Sequence, residues 1–180
     1  GPGTEGMPGK HGFDYFYGYF GQRVAHSYYP EFLHENEQKI MLDGKYYAHD
    51  LMLEKALNFI DENAQKPFFL YFSPTIPHAD LDIMGEAMTE YEGEFCETPF
   101  GGSRDGYKSQ QNPRAAYAAM VTYLDKSVGL IIKELKEQGL YDHTIIVFTS
   151  DHGVHSAGGE GPSYFASNGV LRGPNRDFYY

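Results

Sequence analysis

The chain has 180 residues, 41% apolar and 16% aromatic, with a formal net charge of -11 at neutral pH. That is long enough for one domain with a buried core, and too apolar for a disordered chain. The acidic balance excludes a protein that grips a nucleic-acid backbone through a basic stripe, and the lone Cys96 excludes both an intrachain disulfide and a cysteine metal cluster. No stretch reaches the roughly 18 consecutive apolar residues of a membrane span, and no signal peptide stands at the start. The chain opens on Gly1 rather than Met and stops in mid-pattern at Tyr180, so it is expected to be internal to a longer protein.

Residues 1–12 are rich in glycine and proline and read as a loop, whose glycine spacing matches neither the dinucleotide fingerprint nor the P-loop. The aromatic run Phe13-Asp14-Tyr15-Phe16-Tyr17 packs such a loop onto a core. Residues 21–47 continue as loop or short strands. A helix is predicted over 50–64, with Asp50 as its cap and Leu53, Ala56, Leu57 and Ile60 on one face. Pro67 then opens a strand, Phe68 to Phe72, that runs out through Ser73-Pro74-Thr75-Ile76-Pro77 to His78.

Residues 79–112 lack periodicity and read as an insertion or a lid loop. Cys96 lies there between Glu94 and Glu97, the wrong electrostatic setting for a reactive thiolate. The clearest helix is predicted over 113–138, capped by Asn112, started by Pro113 and closed by Gly139. At 1.5 Å per residue it is roughly 39 Å long, enough to cross a sheet. It leads into Thr144-Ile-Ile-Val-Phe-Thr149, an apolar run that ends in Ser150-Asp151-His152-Gly153. Such a run reads as a buried strand delivering polar groups at its carboxyl end. Strand, crossover helix, strand is a βαβ unit, so segments 68–72 and 144–149 are expected to be parallel neighbours, with His78 and Asp151–His152 at one sheet edge.

Asp151 and His152 pair a hard oxygen ligand with an imidazole nitrogen where Gly153 lets the chain turn away, a pattern that suits one divalent cation. Asp151 could equally cap a turn. His78 alone carries little; the shared edge strengthens both readings. His11, His26 and His49 have no such placement, and His155 enters only through its nearness to His152.

The chain resembles a sulfatase of the arylsulfatase type, in the alkaline-phosphatase-like superfamily. The matching segments run in family order. They are residues 10–19 (Lys10-His11-Gly12-Phe13-Asp14 onward), Ala25-His26-Ser27-Tyr28-Tyr29-Pro30, residues 56–60 and 66–71, and Pro77-His78-Ala79. Further on come residues 120–129, Thr149-Ser150-Asp151-His152-Gly153, and Ser167-Asn168-Gly169-Val170-Leu171-Arg172-Gly173. The resemblance implies an α/β, alkaline-phosphatase-like sandwich with a largely parallel central sheet flanked by helices, of which residues 1–180 are part of a single catalytic domain.

It further implies hydrolysis of sulfate esters, of a sulfated small molecule or a sulfated glycan, with a calcium ion and a formylglycine nucleophile. Asp151 and His152 match calcium ligands, and His78 matches the histidine that contacts the sulfate and assists the leaving oxygen. A periplasmic, secreted or lysosomal setting goes with that family. The nucleophile motif and the first acidic metal pair are absent, and Asn175, followed by Arg176, stands where the family usually has a sulfate-binding lysine. The chain alone is therefore expected to be inactive. Two alternatives remain open: a phosphodiesterase or phosphonate hydrolase of the same superfamily, and a non-catalytic calcium-dependent module that binds sulfated glycans.

Overall fold

The computed structural model describes residues 3–104, 106–171 and 173. They fall into two compact units, one of Gly1–Thr75 with Ser127–Tyr141 and one of Ile76–Lys126 with Asp142–Tyr180.

The first unit carries a three-stranded antiparallel sheet, in order β1 (Tyr17–Gly18), β2 (Phe32–Glu35), β3 (Gln38–Met41). Strands β2 and β3 form a tight hairpin in which Glu35 pairs with Gln38 and Phe32 with Met41. Asn36 turns it with φ 51°, a conformation asparagine tolerates better than most residues. The Asn36 side chain also accepts the Phe16 N–H at 2.9 Å, which anchors β1 to the turn. Leu33, Leu42 and Ala48 are the buried centre, with Tyr17, Tyr19, Ile40, Leu51 and Met52 packed around them.

Helix α2 (Ala48–Glu62) follows a short α1 (Gln22–Ala25). Leu53, Ala56 and Ile60, spaced three and four apart, are the buried stripe the sequence predicts. Full burial of a side chain such as Ile60 contributes about 1.5–3 kcal/mol. The helix begins two residues before the expected start: Tyr47 is the N-cap, without a side-chain cap, and Asp50 sits in the first turn. His49, assigned no role from the sequence, is fully buried and bonds Ser127 Oγ through Nε2 at 2.7 Å. Burial pushes its pKa down to about 4.

Helix α4 (Pro113–Glu137) starts where Pro113 predicts, and Gly139 closes it with φ +69°. The carbonyl of Asn112 accepts the first intrahelical bond, from Ala116. The next free N–H groups go to Glu97 instead: Arg114 donates at 3.0 Å and Ala115 at 2.8 Å to its two carboxylate oxygens. By length and hydropathy α4 could cross a membrane. It carries Asp125 and Lys126 at mid-length and buries Ala115, Ala116, Ala119 and Met120.

The expected parallel sheet is not formed among the described residues: neither 68–72 nor 144–149 pairs with another strand. The first still alternates as a strand does. Phe68, Leu70 and Phe72 are half-covered, with Phe68 5.7 Å from Phe59 and Phe72 6.0 Å from His49, while Phe69 and Tyr71 are exposed. The second was read as buried, and the structure corrects this: Ile145 is 91% and Val147 78% exposed. A strand exists through its ladder, and no described residue offers one to either segment.

Residues 79–112 contain α3 (Gly85–Met88) and a bridge between Phe100 and Gln110, and Ala79, Asp80, Leu81 and Ile83 are buried. In the same unit α5 (Pro162–Phe165) joins an aromatic cluster, with Phe165 5.3 Å from Phe95 and 5.5 Å from Tyr117.

Candidate active site

His78 lies in the second unit at the head of the buried segment 79–83. Three bonds tie that segment to residues 108–110. Asp80 Oδ1 accepts the Lys108 N–H at 2.8 Å, Gln110 donates to the Leu81 carbonyl at 2.7 Å, and Lys108 Nζ meets Asp82 at 2.9 Å. The tie brings Tyr107 to His78, with ring centroids 6.1 Å apart. On another side stands His155, its ring 4.2 Å from that of His78 and 6.0 Å from Tyr107. The sequence linked His155 to His152; the fold sets it against His78.

His155 is carried by a tightly built turn. Its Nδ1 accepts the Ala157 N–H at 3.1 Å. A side chain on Gly158 would begin 2.8 Å from Leu81 Cγ and 2.9 Å from Glu160 Oε2; one on Gly159 would begin 2.6 Å from Phe100 Cβ. Only glycine lets this turn lie so close to Leu81 and Phe100. The turn delivers Glu160, 2% exposed, whose Oε2 is buried with no hydrogen-bond partner among the described residues. Burial pushes the Glu160 carboxyl above the usual carboxylate range, against a downward pull from backbone N–H groups and from His78. Sequence reading missed Glu160. The available signal was the glycine pair before it, since adjacent glycines mark close backbone approach.

Asp151 and His152 lie at the surface. Their side chains are 87% and 61% exposed, with His152 Nε2 3.7 Å from Asp151 Oδ2. Ser150 Oγ donates to the His152 carbonyl at 2.8 Å, and the Asn168 side chain holds the Val154 N–H at 2.9 Å, so both flanks of the turn are tied. Two donors this close can share one ion. A hard divalent cation takes about six to eight ligands, and among the described residues no three His, Cys, Asp or Glu come together to hold one. The described residues thus supply two adjacent donors and no complete metal site. Asn175 and Arg176 lie outside the described residues. Cys96 is exposed, and its carbonyl takes the Arg114 guanidinium.

Open clefts among the described residues include one of about 340 Å³ between Phe20, Phe32, His34 and Lys39, and another of about 400 Å³ between Tyr91, Tyr117, Thr122 and Phe165. Neither is lined by His78, Asp151 or His152.

The sequence profile of one family, Sulfatase, matches residues 3–175. The uncharacterized sulfatase YdeN of Escherichia coli is 32% identical over 152 residues, covering 83% of this chain and 24% of that protein. The multifunctional alkaline phosphatase superfamily protein PehA of Trinickia caryophylli is 25% identical over 133 residues, covering 56% and 26%. Among solved structures, Ps i-CgsB, in complex with k-i-k-neocarrahexaose, aligns with a TM-score of 0.68 and 28% identity over 88% of this chain and 36% of that one. The chain thus spans about a quarter of the length of these two curated relatives.

Proposed function

Since the chain belongs to the sulfatase family, we propose that the whole protein hydrolyses a sulfate ester, with residues 1–180 forming part of a single catalytic domain of alkaline-phosphatase-like fold. The observation that carries the reading is the setting of His78. Its Nδ1 faces the Ala79 carbonyl, which only accepts, so Nδ1 bears a hydrogen and Nε2 is the nitrogen through which the ring would reach a substrate. As the S–O bond breaks, its electron pair goes to the ester oxygen, and the imidazolium form of His78 would give its Nε2 proton to that oxygen, leaving the neutral ring with its hydrogen on Nδ1. His155 and Tyr107 flank the ring and limit its rotation.

Asp151 and His152 would hold a divalent cation, calcium by family resemblance, which when bound polarises a sulfuryl oxygen and orients the nucleophile. That nucleophile, a formylglycine in this reading, is supplied from outside these residues. The substrate is a sulfated glycan or a sulfated small molecule; the likeness to a protein solved with an oligosaccharide favours the glycan.

The test is release of inorganic sulfate from an aryl sulfate and from sulfated oligosaccharides by the whole protein. His78→Ala is expected to lower kcat by about 100-fold or more. The isolated chain is expected to be inactive; turnover by it above its own His78→Ala control defeats the assignment of the nucleophile elsewhere. The similarity to PehA supports a phosphate-ester reading, and release of the phenol from an aryl phosphodiester in preference to an aryl sulfate would select it.

A further inference from the structure

The β2–β3 hairpin turns one face into the core and the other away from it. Leu33 is fully buried, and its cross-strand partner Ile40 packs on the same core. Alternation puts Phe32 and His34 on the opposite face, with Lys39, the cross-strand partner of His34, beside them. Phe20 and α1 lie against that second face, the Phe20 ring 4.9 Å from that of His34. The cleft of about 340 Å³ runs between them. We propose that this cleft is a subsite for a sugar sulfate, in which Arg23 and Lys39 hold the sulfate group and His34 donates a hydrogen bond to it. The choice of a sugar sulfate rests on the sulfatase reading; the cationic character of the cleft does not.

Charge points to an anion. Acidic residues outnumber Lys and Arg by 25 to 14 in this chain, yet Arg23 and Lys39 line the cleft and no carboxylate does. Lys45 and Lys55, in the same unit, each pair with a carboxylate, at 3.6 and 2.7 Å. Arg23 and Lys39 have no such partner among the described residues. Glu35, on the other face of the hairpin, is committed to Tyr15 and Lys55. Two cations without counter-charges in one concavity raise the local potential and draw in an anion.

The side chains are also held for the task. Lys39 Nζ sits 3.7 Å over the Phe32 ring, which keeps the ammonium at the cleft wall. Arg23 offers a planar fork that meets two oxygens of a tetrahedral anion at once. His34 is 8% exposed, and its ring nitrogens have no hydrogen-bond partner among the described residues. A buried polar group without a partner is costly, and an anion oxygen at its N–H removes that cost. Burial, and after it the Lys39 ammonium, push the His34 pKa below its ordinary value, so the ring is neutral at pH 7 and keeps one N–H to give. Phe20 and Val24 add an apolar wall for the carbon face of a sugar ring. The cleft is roomier than a bare sulfate ion needs and falls in the roughly 300–1,000 Å³ range of small-molecule sites.

Binding is read at the cleft itself, without turnover. The imidazole resonances of His34 are followed as galactose 6-sulfate, galactose or inorganic sulfate is titrated into the whole protein and into the chain. Galactose 6-sulfate is expected to move them saturably, galactose to leave them in place, and inorganic sulfate to bind more weakly than the sugar sulfate. Arg23→Gln and Lys39→Gln, both at exposed positions, are each expected to weaken binding by about tenfold. Lys45→Gln, an exposed lysine that does not line the cleft, is expected to change it by less than about twofold. His34 resonances that no sugar sulfate moves in the wild type overturn the proposal, whether or not the variants fold. An equal response to galactose, inorganic sulfate binding as tightly as the sugar sulfate, or a Lys45→Gln loss as large as that of Arg23→Gln also overturns it. A whole protein that binds the sugar sulfate here but releases sulfate from no ester defeats the sulfatase reading and leaves the subsite standing. One that releases sulfate while the His34 resonances stay still defeats the subsite alone.

Discussion

Gly159→Ala isolates the packing that builds the site. Gly159 has φ +88°, and a Cβ there would sit 2.6 Å from Phe100 Cβ, with further contacts at 3.0 and 3.2 Å to its ring. Carbon atoms rest about 3.5–4.0 Å apart, so about 1 Å of displacement is needed. Phe100 cannot simply recede, because its N–H and carbonyl both pair with Gln110, at 2.8 and 2.9 Å. Left-handed backbone for alanine costs about 1–3 kcal/mol and overpacking about 1–3 kcal/mol more, so the sum is about 2–6 kcal/mol. That is a large share of the roughly 5–15 kcal/mol that holds a domain together.

Urea unfolding of the chain, followed by circular dichroism, reads the loss directly. Gly129→Ala is the control: it lies in α4 with nothing within 4 Å, so alanine there stabilises by up to about 1 kcal/mol through helix propensity. Gly158→Ala falls between, since its obstruction is chiefly the Leu81 side chain, which can rotate. A Gly159→Ala loss below about 1 kcal/mol, or an order of effects in which Gly158→Ala is worst, refutes the account of a turn set by close approach to Phe100.

Two further outcomes are expected. His49 titrates near 6.5 when unfolded and at about 4 when folded. The unfolded chain therefore binds more protons between those values, and stability falls as pH drops from 6.5 to 4. The loss is about 3 kcal/mol for a shift of that size. Denaturation midpoints measured across that range check it, and His49→Gln, which still reaches Ser127, should flatten the acid limb; an unchanged limb assigns the acid sensitivity to other groups. Asp151 is exposed, so Asp151→Asn should leave unfolding within about 0.5 kcal/mol of wild type. In the whole protein it should weaken calcium activation by more than about tenfold, as read by titrating calcium back after chelation; an unaltered calcium curve removes Asp151 from the metal site.

How much was legible depended on how local the signal was. Helices α2 and α4 lie within two residues of where their apolar spacing, Pro113 and Gly139 put them, because helical hydrogen bonds close within the segment. The caps were less legible: Asp50 was a reasonable candidate by type, but α4 draws on Glu97, sixteen residues before Pro113, and nothing local announces that partner. The candidate site divides in the same way. His78, Asp151 and His152 stood out by chemistry at the ends of apolar runs. The ring contact of His155 with His78 and the burial of Glu160 were not legible, because both depend on segments far apart in the sequence.

By itself, then, the sequence determined what is periodic or chemically punctuated: two helices and an ordered series of family motifs, beside which it offers three candidate site residues. The tertiary structure alone decided what depends on meetings between distant segments. It set His155 against His78, buried Glu160 behind a glycine pair that packs on Leu81 and Phe100, and left segments 68–72 and 144–149 without a ladder among the described residues. The reason is physical. A helix satisfies its own backbone, whereas a strand and a catalytic cluster exist only through partners that the local sequence does not contain.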